Sequence, residues 1–385
     1  MRVGLILYGS INTTTGGYIY DYKLVEYLRA QGVVVKIFSQ ENKNFWGLIK
    51  NNFSKKLINE IIEFSPDVLL QDEMNFNSLF ILNKKLKEIG NFPIISIVHL
   101  LQADALQNSL VKWFTKKIEG IYLKSVNGFI FNSISTEKSI SKIIGTNNNS
   151  LIAYPGKDRL QLNRIKDGFG FKYQDKKLMI IFIGNLLYNK GLHLLLQALS
   201  QIDSHSWQLS IVGSLHFDAK YTRKIFKMIT YLKLEKNIKI HGALDTKHLT
   251  KELLSHHVLV VPSYFESYGI VYTEAMGAGI PVIACNTGGV PEIVNDAING
   301  FLITPGDSTM LKEYISKLIK NRGLLKKMSL SSLAAYQNFP SWDETMAKIH
   351  AFLNQHNQVD TIKKNNGSIR IDNEPPYPCL ARRLP

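Results

Sequence analysis

Short, almost continuously apolar runs alternate with segments of helical period along most of the 385 residues. A strand that is apolar on both faces must be covered on both, and the helices that cover it also carry the chain back to start the next strand in the same direction. The runs are 3–8, 33–38, 68–71, 94–98, 128–131 and 151–154, then 178–183, 209–212, 238–240, 258–261, 282–284 and 301–303. The expected class is therefore α/β, with two doubly wound parallel sheets in succession. The chain exceeds what one hydrophobic core usually supports, which also points to two domains. A stretch rich in charge and glycine separates the two sets. The expected domains are 1–160 and 177–340, with a linker at 161–176. Ser341 and Glu344 form a capping box ahead of Trp342, Met346, Ile349 and Leu353 at helical spacing, so a terminal helix is expected over 341–357. Residues 358–385 lose this periodicity and are expected to form a disordered tail.

Composition excludes several classes of protein. Cys285 and Cys379 are the two cysteines, too few for a disulfide framework or a cysteine metal cluster, and a reducing, cytoplasmic compartment is expected. The opening apolar run is too short for a signal sequence, and no run reaches the roughly 18 to 20 apolar residues of a membrane span. The net charge of +15 calls for an anionic partner, either a phosphorylated substrate, an acidic membrane or nucleic acid. No basic run with interleaved aromatics and no zinc spacing supports nucleic acid, so that partner is not expected.

Parallel sheets bind ligands at the carboxyl ends of their strands, which directs attention to the loops there. Glu266 and Glu274 bracket Gly269, Ile270 and Val271, where a helix begins after the 258–261 strand. Unpaired N–H groups at that helix start suit phosphate, and the flanking carboxylates suit hydroxyl groups; a ligand with phosphates between hydroxyl-bearing sugars is a nucleotide-sugar. Gly184, Asn185 and Lys190 follow the 178–183 strand and form a second phosphate-reading loop, with Lys190 as a point charge. In the first half, Thr15, Gly16 and Gly17 precede a helix, and His99 ends the 94–98 strand, where an imidazole can bond a hydroxyl or carry a proton. Each of these also has an ordinary reading, as a loop glycine, a solvated lysine or a strand-ending histidine bonded to backbone.

Taken in order, the Gly16-Gly17 pair, His99, the 182–191 loop, the 262–282 block and the Gly288-Gly-Val-Pro-Glu292 segment resemble the retaining glycosyltransferases of family 4, the glycosyl transferases group 1. The resemblance implies the GT-B fold, in which two Rossmann-like domains face each other and a last helix crosses back. It implies a donor bound by the second domain and an acceptor bound by the first. Glu274 would accept the nucleotide ribose hydroxyls and Glu266 would contact the transferred sugar. Lys190 and the N–H groups of Gly269, Ile270 and Val271 would meet the diphosphate, and neighbouring Ser267 and Tyr268 would belong to the donor-binding site. Gly16 and Gly17 would approach it from across the cleft, and His99 would bond a sugar hydroxyl. Base recognition is expected near Gly242. The implied reaction is metal-independent hexosyl transfer with retention, the nucleotide-sugar being a substrate and no cofactor being required; the chain has no Asp-x-Asp.

One position departs from the family pattern. Asn185 stands where members commonly carry arginine, so one cation for the leaving diphosphate is missing and catalysis would weaken unless another cation substitutes. A non-catalytic nucleotide-sugar-binding protein, or a GT-B nucleotide-sugar epimerase, is the alternative. The acceptor is expected to be a glycan or a lipid-linked glycan. Leu110, Trp113, Phe114, Ile118 and Ile121, with neighbouring lysines, make a helix that fits peripheral contact with an anionic membrane at its inner face, or simple packing of an apolar stripe on the sheet.

Overall fold

The computed structural model describes residues 1–365 except 14, 42–43, 106–108, 161 and 163–175. The first domain contributes β1 (Arg2–Tyr8), β2 (Val34–Gln40), β3 (Val68–Asp72), β4 (Ile94–Val98), β5 (Gly128–Phe131) and β6 (Ser150–Ile152). The second contributes β7 (Leu178–Ile183), β8 (Trp207–Val212), β9 (Ile238–Gly242), β10 (Val258–Val261), β11 (Val282–Cys285) and β12 (Gly300–Ile303). Each expected run is a strand, with ends moved by one or two residues in most cases. The two six-stranded sheets have the orders β2-β1-β3-β4-β5-β6 and β12-β11-β10-β7-β8-β9, and every pairing within them is parallel. In each sheet the chain reverses its direction of travel once, between β1 and β3 and between β7 and β10. Crevices at such reversals lie outside the carboxyl ends of the strands. The loops after β1, β3, β7 and β10 are therefore the ones positioned to bind a ligand.

The first sheet sorts its side chains by the two-residue period of a strand. Val3, Leu5 and Leu7 point to one face, where the helix Gly16–Ala30 packs through Tyr20, Leu24 and Leu28. The same core includes Trp342, Met346, Ile349 and Leu353, so the terminal helix returns to the first domain and buries its apolar stripe there. Burial of each such side chain stabilises the fold by about 1.5–3 kcal/mol. That helix starts on the expected capping box, with Ser341 N–H donating to Glu344 Oε2 at 2.7 Å and Glu344 N–H to Ser341 Oγ at 3.1 Å. It runs to Asn365, beyond the expected end at 357, because no glycine or proline interrupts residues 358–365. Residues 366–385 of the expected tail, and nearly all of the expected linker, lie outside the described residues.

The crossing is fixed where it meets the segment leaving β6. Asp158 Oδ1 accepts the Trp342 N–H at 2.7 Å, and Lys157 N–H donates to the Pro340 carbonyl at 2.9 Å. Gly156 permits this approach, since a Cβ there would lie 2.3 Å from the Trp342 nitrogen. The domains also touch across the cleft. Glu292, in the second domain, accepts the Ile134 and Ser135 N–H groups at 2.9 and 2.8 Å, which cap the helix Ile134–Ile144, and it accepts the Tyr154 hydroxyl at 2.9 Å.

Candidate active site

Glycines set the backbone of the second-domain half of the cleft. Gly191, at φ 70°, closes a turn over Tyr188–Lys190 and sits so near the Pro262 carbonyl that a Cβ would lie 2.1 Å from its oxygen. This contact carries Lys190 to Glu266, with Nζ to Oε2 at 2.6 Å. Gly269, at φ 95°, starts the helix Ile270–Gly277 with no side-chain cap, leaving the N–H groups at 269–271 as the local donors. Glu274, on that helix, is completely buried. Its Oε1 accepts Arg159 Nε at 2.5 Å, and burial, which alone would lower the guanidinium pKa, is outweighed by the Glu274 charge, which raises it. Gly184 lies at the end of β7 against the Lys190 side chain. Asn185 uses its side-chain oxygen to accept the Ser214 N–H at 3.1 Å, which leaves its amide N–H groups as donors. Gly242 ends β9, two loops further out, where its carbonyl accepts the Gly213 N–H.

The first domain supplies the opposite wall. The helix Gly16–Ala30 also begins without a side-chain cap, and a Cβ on Gly16 would lie 3.7 Å from Ile270 of the second domain. Gly17 lets the His99 ring lie against the helix backbone, since a Cβ there would be 3.0 Å from His99 Cδ2. Asn132 donates to the His99 carbonyl at 2.8 Å and to Ser267 Oγ at 3.3 Å, linking the two walls. Tyr268 is buried and stacks obliquely near Tyr154, with ring centroids 5.7 Å apart. Thus Gly16, Gly17, His99, Lys190, Glu266, Ser267, Gly269 and Ile270 gather where the two domains meet, while Glu274 is buried against Arg159 and Gly242 lies at the end of β9, two strands from β7.

His99 is not alone. Its Nε2 meets Asp21 Oδ1 at 2.9 Å, and Asp72 lies beside them, with one ligating atom from each of the three within 4.8 Å of the others. Among the described residues, this is the group whose spacing could hold an ion, and the Asp21–His99 contact is itself a good hydrogen bond. Burial opposes charge on His99, yet the charge and hydrogen bond of Asp21, then the charge of Asp72, raise its pKa above the usual imidazole range. Burial, then the Asp21 charge, pushes Asp72 up to about 7. Sequence reasoning missed Asp21, although a signal was present: it falls in the apolar stripe with Leu24, Val25 and Leu28, where an acid needs a partner. Arg159 gave no comparable signal.

Residues 164–332 match the family described as glycosyl transferases group 1. That segment is similar to glycosyl transferases group 1 domains. Over 172 residues the chain is 30% identical to an uncharacterized glycosyltransferase of Methanocaldococcus jannaschii, which covers 44% of this chain and 43% of the relative. The chain spans about half the length of the curated relatives it matches. Among solved structures, sucrose-phosphate synthase from Thermosynechococcus elongatus superposes with a TM-score of 0.78 at 20% identity, over 92% of this chain and 98% of that one. HepE from Anabaena, in complex with UDP and glucose, gives 0.73 at 18% identity, over 92% and 100%. The two facing domains have the GT-B fold, and the segment that matches the family model carries Glu266 and Glu274.

The Asp72 carboxyl gives a pH signature. An aspartate held near 7 in the folded chain, against about 4 unfolded, keeps its proton longer when folded, so its contribution falls as pH rises from about 4 to about 7. His99, also raised, loses its contribution as pH rises through its folded pKa, in the same direction. Asp72→Asn keeps an acceptor for the Met74 N–H and should flatten this slope. Thermal unfolding should show the variant more stable than wild type at pH 8, with the advantage shrinking towards pH 4; parallel pH profiles would contradict the assignment.

Proposed function

We propose that this chain is a glycosyltransferase that moves a hexosyl unit from a nucleotide-diphosphate sugar to a glycan or lipid-linked acceptor, with retention of configuration and without a bound metal, in cell-surface polysaccharide or glycolipid synthesis. The observation that carries the reading is the uncapped helix start at Gly269–Val271, bracketed by Glu266 and Glu274 and faced by Gly16, Gly17 and His99 from the other domain. The group 1 match and the UDP and glucose bound by the structurally similar HepE support a nucleotide-sugar as the donor.

Departure of a nucleoside diphosphate develops negative charge on its phosphate and positive charge on the sugar. The helix N–H groups and Lys190 stabilise the first, already oriented before reaction, which is the arrangement that lowers a barrier most effectively. Glu266 and His99 hold the sugar hydroxyls. The departing phosphate oxygen takes the acceptor proton on the same face, which retains configuration. Release of nucleoside diphosphate from UDP-, GDP- or ADP-sugars should be seen with wild type. Removing one preorganised donor, as in Lys190→Ala, should cost ~10²–10³ in kcat. Glu266→Ala and His99→Ala should likewise reduce turnover. Donor binding without turnover toward any acceptor would favour a binding protein, and interconversion of the sugar without transfer would favour an epimerase.

A membrane-bound acceptor draws support from one surface. On the helix Ser109–Ser125, Tyr122 and Leu123 face the core, whereas Leu110, Trp113, Phe114 and Ile121 are exposed, so the expected stripe does not pack on the sheet, apart from Ile118. Lys117 Nζ lies 4.3 Å from the Trp113 ring, and Lys116 and Lys124 are exposed. Phe45 and Trp46 are exposed on the helix Phe45–Asn51, and both helices pack on the turn Phe76–Leu79. Aromatic and basic groups on one surface suit an anionic bilayer. Sedimentation with phosphatidylglycerol vesicles should show binding that weakens with salt and with Trp113→Ser plus Phe114→Ser; absence of binding at low salt would remove the membrane from the account. No helix among the described residues is long and apolar enough to cross a membrane.

A further inference from the structure

The two oxygens of Glu274 have different surroundings. Oε1 is taken by Arg159 Nε, while Oε2 is buried and has no hydrogen-bond partner among the described residues. A buried oxygen without a partner is costly, and it gains most from a ligand that donates to it.

Arg159 is well placed to fix this geometry. It follows Gly156, Lys157 and Asp158, the residues pinned to the start of the terminal helix at Trp342 and Pro340, and Lys157 Nζ also donates to the Gln337 carbonyl at 2.8 Å. The guanidinium therefore springs from the backbone at the crossing between the domains and meets a carboxylate 115 positions along the chain.

We infer that Arg159 is a positioning residue for the nucleotide: by clamping Oε1 it fixes the Glu274 carboxyl and leaves Oε2 for a ribose hydroxyl, so the pair selects ribonucleotide over deoxyribonucleotide donors. This rests on the reading of Glu274 as the ribose contact. Arg159 acts through Glu274, and its cation at the donor site sits in the second domain's half of the cleft, where Asn185 supplies none.

Calorimetric titration of the full chain with UDP, GDP and ADP, each against its 2′-deoxy counterpart, tests the inference without requiring an acceptor. The nucleotide that binds should do so roughly 10- to 100-fold more tightly than its deoxy form, the range expected for one hydrogen bond to a charged group. Arg159→Met should weaken binding of the ribonucleotide and bring that ratio close to one, while Arg159→Lys keeps part of it. Because Arg159→Met leaves Glu274 without its cation, the pair Glu274→Gln and Glu274→Gln/Arg159→Met serves if the single variant does not fold. Adding Arg159→Met to Glu274→Gln should change neither affinity nor ratio. An undiminished ratio in Arg159→Met, or a further change in the double variant, overturns the inference while leaving the ribose reading intact if Glu274→Gln alone abolishes discrimination. A ratio unaffected by Glu274→Gln, or no binding of any of the three nucleotides, sinks the ribose reading and the inference with it.

Discussion

The Glu292 carboxylate reaches out of the second domain, accepts two N–H groups at the start of the helix Ile134–Ile144 and takes the Tyr154 hydroxyl as well. A helix start carries partial positive charge and unpaired donors, so a carboxylate there gains both electrostatic attraction and hydrogen bonds. Because the donors and the acceptor belong to different domains, the bond also sets how the two sheets face one another. Gly288 and Gly289 make this reach possible. A Cβ on either would strike the Glu266 or Ser267 carbonyl, at 2.0 and 2.1 Å, so the segment that carries Glu292 lies directly against the segment that carries Glu266. The cleft and the contact that holds it are built from one stretch of backbone.

Charges within that cleft occur in compensated sets. Glu266 is matched by Lys190, Glu274 by Arg159, and the Asp21–Asp72 pair by His99. Pairing with a cation offsets part of the cost of burying a carboxylate. The third set is the least well compensated, with two acids and one imidazole, and burial, then the Asp21 charge, pushes Asp72 up to about 7. Under the proposed function, these carboxylates face hydroxyl groups and the helix start faces phosphate, and the overall charge of +15 would favour approach of an anionic donor.

Much of this was legible locally. Continuous apolar runs specify parallel strands, and strand order then places the loops after β1, β3, β7 and β10 at the cleft. The capping box at Ser341 and the stripe through Leu353 specified the returning helix, which continues eight residues further because nothing in its sequence stops it. What sequence could not supply was pairing at a distance. Arg159 and Glu274, or Glu292 and Ile134, carry no local pattern that names the partner. The helix Ser109–Ser125 has two candidate stripes, and the buried one contains Glu119, so counting apolar residues selects the wrong face. Asp21 shows the intermediate case, an acid in an apolar stripe whose need for a partner is visible although the partner is not.

Under the proposed function, phosphate meets the helix start at Gly269. Backbone hydrogen exchange of the full chain, measured with and without a bound nucleoside diphosphate, reads those amides directly. Exchange should slow at Gly269, Ile270 and Val271 when the nucleotide binds. Binding that leaves these three amides unprotected while slowing exchange elsewhere would contradict it.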